Sequence, residues 1–264
     1  MKLGMSSAVF YGYLETEDAA AALRGYDLQA CEVFLETHSE YSAAFGQLVR
    51  ERLQSLPCVS VHPKGTQFEP DIFGQSPRQH RDAMDIFRRI CQAGQALDAR
   101  WYVFHGVSTV RAHRSPSALY HVVENLEEMA SVARAHGMEV LWENVSWCAL
   151  RTPEDVAQVR ALLPEQGFVL DLKQARQVDC DPFEMIDAMG TGLRHLHLLD
   201  WTASGELVLP GEGVMDFPRL FRRLARDGYT GAAILEPYAI QGRDPQRLRR
   251  SLAYLHRCME EAQA

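Results

Sequence analysis

Six short apolar segments of this chain each end on a histidine or a carboxylate. They read Val61-His62-Pro63-Lys64-Gly65, Val103-Phe104-His105-Gly106, Leu141-Trp142-Glu143-Asn144, Val169-Leu170-Asp171-Leu172-Lys173-Gln174, His195-Leu196-His197-Leu198-Leu199-Asp200 and Ile234-Leu235-Glu236-Pro237. Histidine, aspartate and glutamate are the side chains that hold divalent ions and move protons near neutral pH. Carboxylates crowded together repel unless a cation neutralises them. Three carboxylates and a histidine suit Mn2+, Mg2+, Zn2+ or Fe2+, and two further histidines favour the softer end of that range. Singly, a histidine after a strand is usually a hydrogen-bonded structural residue, so the series matters only if one architecture gathers all six.

The surrounding pattern supplies such an architecture. Strand-like runs near Lys2 to Met5, Ala30 to Leu35, Cys58 to Val61, Trp101 to Phe104, Glu139 to Trp142, Phe168 to Leu170, His195 to Leu198 and Ala232 to Leu235 alternate with helical stretches. The clearest helices are Arg78 to Leu97, with Ile86, Ile90, Ala93 and Leu97 along one face, and Ala118 to His136. Gly137, Gly228 and Pro164 mark helix ends, and Pro116 and Pro153 mark helix starts. Eight βα units in 264 residues fit the roughly 250 residues of one α/β barrel. The expectation is an α/β fold, a (β/α)8 TIM barrel, with residues 1–264 as a single domain. In such a barrel the chemistry lies at the carboxyl ends of the strands, where the six ends fall. The intervals of 28, 26 and 39 residues from Glu143 to Asp171, His197 and Glu236 are each one repeat. His195 points the same way as His197 but deeper, as a layer residue or a partner of it. His38, His80, His113, His121, His136 and His256 fall in loops or helices and read as ordinary.

Composition narrows the function classes. A net charge of −8, with 47% apolar and 23% charged residues, describes a globular chain and argues against broad affinity for phosphate backbones. Six scattered cysteines form no CxxC pair, as expected of free thiols in a reducing cytoplasm. No signal-peptide pattern and no run of 18 apolar residues is present, so neither secretion nor a membrane partner is expected. Of 27 basic residues only Lys2, Lys64 and Lys173 are lysines. Lys64 and Lys173 each stand two residues after a strand-end group, which places them at the rim as compact donors for a substrate oxygen. Arg219, Arg222, Arg223 and Arg226, then Arg243, Arg247, Arg249 and Arg250, read as solvated helix faces.

Taken in order with Pro210-Gly211-Glu212-Gly213, the six motifs resemble the xylose isomerase-like TIM barrel superfamily across nearly the whole chain. The relevant branch holds the sugar isomerases and epimerases, related to D-tagatose 3-epimerase and the inositol-catabolism isomerases, with endonuclease IV more distant. The resemblance implies one divalent metal, Co2+ included among the candidates, held by Glu143, Asp171, His197 and Glu236. It implies that Glu143 and Glu236 act as an acid/base pair on a sugar or polyol, through a metal-stabilised enediolate. His62 and His105 match ligands of a second metal in endonuclease IV, and are read as second-metal or substrate groups. The third-metal set of that enzyme is missing: Gln174 replaces a histidine, and Ser204 to Leu209 contains none. Gln174 also departs from a histidine that contacts sugar in the epimerase branch, and it can hydrogen-bond but not titrate. Lys64, Lys173, Gln174 and Trp201 are the expected substrate-binding residues.

Around the mouth, Phe10, Tyr11, Tyr13, Phe68, Phe73, Trp147, Trp201 and Tyr238 either stack on sugar faces or close the barrel, and Glu36 is read as a hydroxyl contact and not a ligand. The leading reading is therefore a metal-dependent sugar or polyol isomerase/epimerase of carbohydrate metabolism in the cytoplasm, without nucleic-acid or membrane partners and with homo-oligomerisation left open. A two-metal hydrolase or lyase distantly like endonuclease IV, and a non-catalytic metal-binding barrel, are the alternatives.

Overall fold

The computed structural model describes residues 1–107, 116–237 and 243–263, so His113 and Tyr238 lie outside the described residues. Eight parallel strands close into a barrel: β1 (Lys2–Ser6), β2 (Ala30–Leu35), β3 (Cys58–Pro63), β4 (Trp101–Phe104), β5 (Glu139–Glu143), β6 (Gly167–Asp171), β7 (Leu193–Leu198) and β8 (Ala232–Leu235). Each neighbours its successor in the chain, and β8 pairs with β1 to complete the ring. The helices are α1 (Thr16–Leu23), α2 (Ala43–Leu53), α3 (Glu69–Ile72), α4 (Pro77–Ala96), α5 (Pro116–Ala135), α6 (Pro153–Leu162), α7 (Leu172–Gln177), α8 (Pro182–Met189), α9 (Phe217–Arg226) and α10 (Pro245–Glu261). The eight expected strands are all present, some one or two residues longer.

Local chemistry sets the helix limits. Proline occupies the first or second position of α4, α6, α8, α9 and α10, where its missing N–H costs nothing. Ser76, Asp181, Asp216 and Asp244 cap α4, α8, α9 and α10, and Thr152 with Asp155 forms a capping box on α6. Gly137 and Gly228 take positive φ after α5 and α9, the conformation that stops a helix. On α4 the buried face centres on Met84, Phe87, Cys91 and Gly94 together with Ile90 and Ala93, while Ile86 is only partly buried. All six cysteines are free thiols, five of them buried. No described helix is long and apolar enough to cross a membrane.

Strand alternation divides the apolar residues into two layers. Leu3, Met5, Val33, Leu35, Tyr102, Phe104, Trp142, Leu170, Leu196 and Leu235 face the helices in the larger cluster, whereas Trp101, Val103, Leu141, Val169, Ala232 and Ile234 fill the barrel interior. The inward phase therefore runs Leu141 to Glu143, Val169 to Asp171 and Ile234 to Glu236. Two register irregularities preserve it. Between β2 and β3 the pairing passes over Val59, so that Ser60 faces Glu32, and between β6 and β7 it passes over Arg194, so that His195 faces Val169 and His197 faces Asp171. Bulges beside functional sites commonly re-aim a side chain in this way.

A short antiparallel pair, Asp200–Trp201 with Leu207–Val208, follows β7. Buried Asp200 accepts backbone hydrogen bonds from Trp201, Gly211, Gly213 and Met215 at 2.8 to 3.1 Å, which pins the Gly211-Glu212-Gly213 turn. Inside the barrel, β1 contributes Gly4, where an added Cβ would lie 2.5 Å from Ile234 Cδ1 and 2.6 Å from the Ala30 carbonyl oxygen. Gly4→Ala is expected to lower stability by about 1–3 kcal/mol through overpacking, read as a reduced urea midpoint with an unchanged slope.

Candidate metal centre

The inward positions at the carboxyl ends of the strands bring Glu143, Asp171, His197 and Glu236 together, each with a ligand atom within 4.8 Å of the others and all buried. His197 stands at the middle. Its Nδ1 lies 2.9 Å from Glu143 Oε1, 3.1 Å from Glu236 Oε2 and 3.9 Å from Asp171 Oδ2. One ring nitrogen carries at most one hydrogen, so it cannot satisfy three carboxylates by donation. A nitrogen lone pair and three carboxylate oxygens converging on a cation does satisfy them. Glu236 Oε2 is buried, and apart from its 3.1 Å ion-pair contact with His197 Nδ1 it has no hydrogen bond of good geometry among the described residues, which suits an oxygen directed at a cation. The donor set of one imidazole and three carboxylates fits a divalent first-row ion.

His62 and His105 join the same neighbourhood. His62 Nδ1 is 3.0 Å from Glu236 Oε1, and its Nε2 is 2.9 Å from Nε2 of His105. Glu143 Oε2 lies 3.9 Å from His62 Nε2 and 3.8 Å from His105 Nε2, so these three side chains form a second group with metal-ligand spacing. Trp147, exposed at the mouth, stacks on the His105 ring at 6.2 Å between centroids.

Burial and charge oppose each other throughout the cluster. Burial pushes the Glu143 carboxyl up, but the His197 hydrogen bond and the charges of His197, His62 and His105 outweigh it and hold the group at about 2. Glu236 is likewise held below its ordinary range, with burial opposed by His197 and His62. Asp171 goes the other way, to about 6, because burial and the charges of Glu143 and Glu236 exceed the help from Lys173 and His197. Burial lowers His62, yet Glu236 and Glu32 raise it to about 10.

The expected substrate-binding residues separate. Lys173, on α7, is buried, with its Nζ 3.4 Å from Asp171 Oδ2. Lys64 is half-buried on the rim, and its Nζ donates to the Tyr11 hydroxyl at 3.0 Å. The Gln174 side chain accepts from the Ser146 backbone N–H at 3.0 Å, bracing the loop after β5 against α7, and Trp201 packs half-buried against the outer core. Of the rim aromatics, Phe10 and Phe68 are core residues, whereas Tyr13 and Trp147 are exposed.

Two acidic residues were missed in the strand-end reading. Glu32 lies inside β2, fully buried, and Glu69 on α3 accepts from the Tyr102 hydroxyl at 2.8 Å and from the His105 backbone N–H at 3.3 Å. Glu32 carried a sequence signal, a lone charge within the otherwise apolar run Ala30-Cys31-Glu32-Val33-Phe34-Leu35; such a charge needs buried partners. Glu69 stands in a loop-rich stretch and carried none.

The family described as "Xylose isomerase-like TIM barrel" matches residues 18–258. Fructoselysine 3-epimerase of Shigella flexneri is 23% identical over 199 residues, covering 72% of this chain and 71% of that protein. The crystal structure of a D-tagatose 3-epimerase-like protein superposes with a TM-score of 0.82 at 19% identity, covering 100% of this chain and 98% of that one. The structure of IOLI protein with a binding zinc atom superposes at 0.75 with 16% identity, covering 99% of this chain and 98% of that one. At these identities the two superpositions establish the shared fold.

Removing a ligand should separate metal binding from folding. Asp171→Asn is expected to weaken Mn2+ binding by at least about tenfold, measured calorimetrically, with the metal-free protein still folded by circular dichroism.

Proposed function

The chain belongs to the xylose isomerase-like TIM barrel family, and from that premise we propose that it is a divalent-metal-dependent isomerase or epimerase of a small sugar or polyol. The observation that carries this reading is the convergence of three buried carboxylates on Nδ1 of His197 at the carboxyl end of the barrel. The epimerase names of the sequence relative and of the structural neighbour support the same reaction class.

Glu143, Asp171, His197 and Glu236 would hold the ion, and when bound it supplies Lewis-acid stabilisation of negative charge developing on substrate oxygens. The protein's own groups do the rest. Shifting a carbonyl, or inverting the carbon beside one, breaks a C–H bond and later re-forms it. Glu143 and Glu236 are the two carboxylates assigned to accept that proton and return it. Lys173 brings a buried ammonium beside Asp171, where it would orient a substrate hydroxyl or carbonyl oxygen by donation. Trp147 offers an apolar face at the mouth for a sugar ring. Free thiols throughout are consistent with work in a reducing cytoplasm.

A second reading, a two-ion hydrolase or lyase, is favoured by the group His62, His105 and Glu143. Metal stoichiometry separates the two: one Mn2+ per chain supports the isomerase, and two, with the second lost in His105→Ala, support hydrolysis or elimination.

Incubation with Mn2+ or Co2+ and a ketose panel in deuterated water tests the leading reading. A substrate should gain carbon-bound deuterium, with turnover falling about 10²- to 10⁴-fold in Glu143→Gln or Glu236→Gln. No deuterium in any ketose, with metal shown to be bound, would overturn proton-transfer chemistry. Lys173→Arg should reduce turnover by about tenfold, because a planar fork cannot replace a buried ammonium, while Lys64→Arg at the half-buried rim changes it little; equal effects would remove Lys173 from the site.

A further inference from the structure

Glu32 is the most enclosed acid of the barrel, with no exposed surface, one layer beneath the strand-end cluster. A carboxylate there would be strongly unfavourable without partners, and it has several. Its Oε2 accepts from Ser60 Oγ at 2.8 Å, from His195 Nε2 at 3.0 Å and from His197 Nε2 at 3.2 Å. A carboxylate oxygen has two lone-pair directions, so three donors saturate it. Oε1 makes no hydrogen bond among the described residues and lies 3.4 Å from His62 Nδ1.

The contact with His197 concerns the face of the ring opposite the cluster. A neutral imidazole carries one hydrogen, on either nitrogen, and the bond made by one nitrogen decides the state of the other. Nδ1 also meets acceptors, with Glu143 Oε1 at 2.9 Å. A cation at Nδ1 takes the place of a hydrogen there, and the one that remains sits on Nε2, where the acceptor-only Glu32 receives it. Nδ1, facing Glu143, Asp171 and Glu236, then presents a lone pair. We infer that Glu32 is a positioning residue, whose buried carboxylate holds the hydrogen of His197 on Nε2 and so turns Nδ1 into a metal-binding lone pair. Ser60, brought opposite Glu32 by the register shift, and His195 fix the carboxylate in turn. The inference rests on the cation of the proposed function but not on its substrate or reaction.

Glu32→Gln reverses the hydrogen-bonding logic at nearly constant shape. Its amide can donate to Nε2, which moves the imidazole hydrogen to Nδ1 and blocks the lone pair. Co2+ titration of the full chain, followed by visible absorption, reads both affinity and ligand set. The Co2+ Kd of Glu32→Gln should rise about 10- to 100-fold, the range for loss of an outer partner of a ligating histidine, with the band positions of the wild-type complex retained. Circular dichroism of the metal-free variant establishes that it is folded, a necessary control because loss of one member of a buried charged network lowers stability. Ser60→Ala, which frees Oε2 from one donor without touching a ligand, should raise Kd by about threefold and decides alone if Glu32→Gln does not fold. Kd values within about twofold of wild type in both variants would overturn the inference while leaving the proposed function standing. Displaced Co2+ bands in Glu32→Gln would also overturn it, by making Glu32 itself a ligand. Failure of the wild-type protein to bind Co2+ would overturn both readings.

Discussion

Four carboxylates, Glu32, Glu143, Asp171 and Glu236, share a buried space in which each lies close to the imidazole of His197 or His62. Like charges at such spacing in a poorly solvated interior cannot all remain ionised unless positive charge is placed among them. The remaining features of the site answer that requirement. His62 and His197 stand between the acids, Lys173 is drawn beside Asp171, and the donor atoms left over point inward. A divalent cation meets the same need with more charge in less volume, which is why the arrangement reads as a metal centre and not as a set of salt bridges.

The barrel makes this concentration of charge affordable to the fold by separating it from the stability-bearing layers. Outward positions of the strands pack against the helices, and inward positions lower in the barrel carry Trp101, Val103, Leu141, Val169, Ala232 and Ile234. The strand-end acids and histidines occupy the upper inward positions, at the end where barrel chemistry lies, with Glu32, Ser60 and His195 one layer beneath them. Gly4 gives the room that Ile234 and the Ala30 carbonyl take. The two register shifts are part of the same design, because a strand without them would turn Ser60 and the pair His195 and His197 out of the inward phase.

Beneath the cluster, Glu32 links polar groups from three strands, β2, β3 and β7. This lower tier has a different task from the upper one. The upper acids direct oxygens toward a common centre, whereas Oε2 of Glu32 is occupied by donors from within the barrel and Oε1 lies 3.4 Å from His62 Nδ1. Glu69 acts from outside the barrel on His105 in a related way, through its backbone N–H.

The sequence by itself determined the eight βα units and the six strand-end groups, because strand phase and helix stops are local properties that follow from residue order. It also fixed which groups share a face, since alternation along a strand needs no knowledge of its neighbours. Only the tertiary structure decided which of those groups touch. Lys64 and Lys173 occupy equivalent positions after their strands, yet the first meets Tyr11 on the rim and the second is buried beside Asp171. Gln174, adjacent to Lys173, turns to the Ser146 backbone. Glu32 became visible as a member of the site only when β2, β3 and β7 were placed around one axis. Its partners Ser60, His195 and His197 are 28, 163 and 165 residues away in the chain, and contacts at such separations are set by barrel closure and register, which no local pattern encodes.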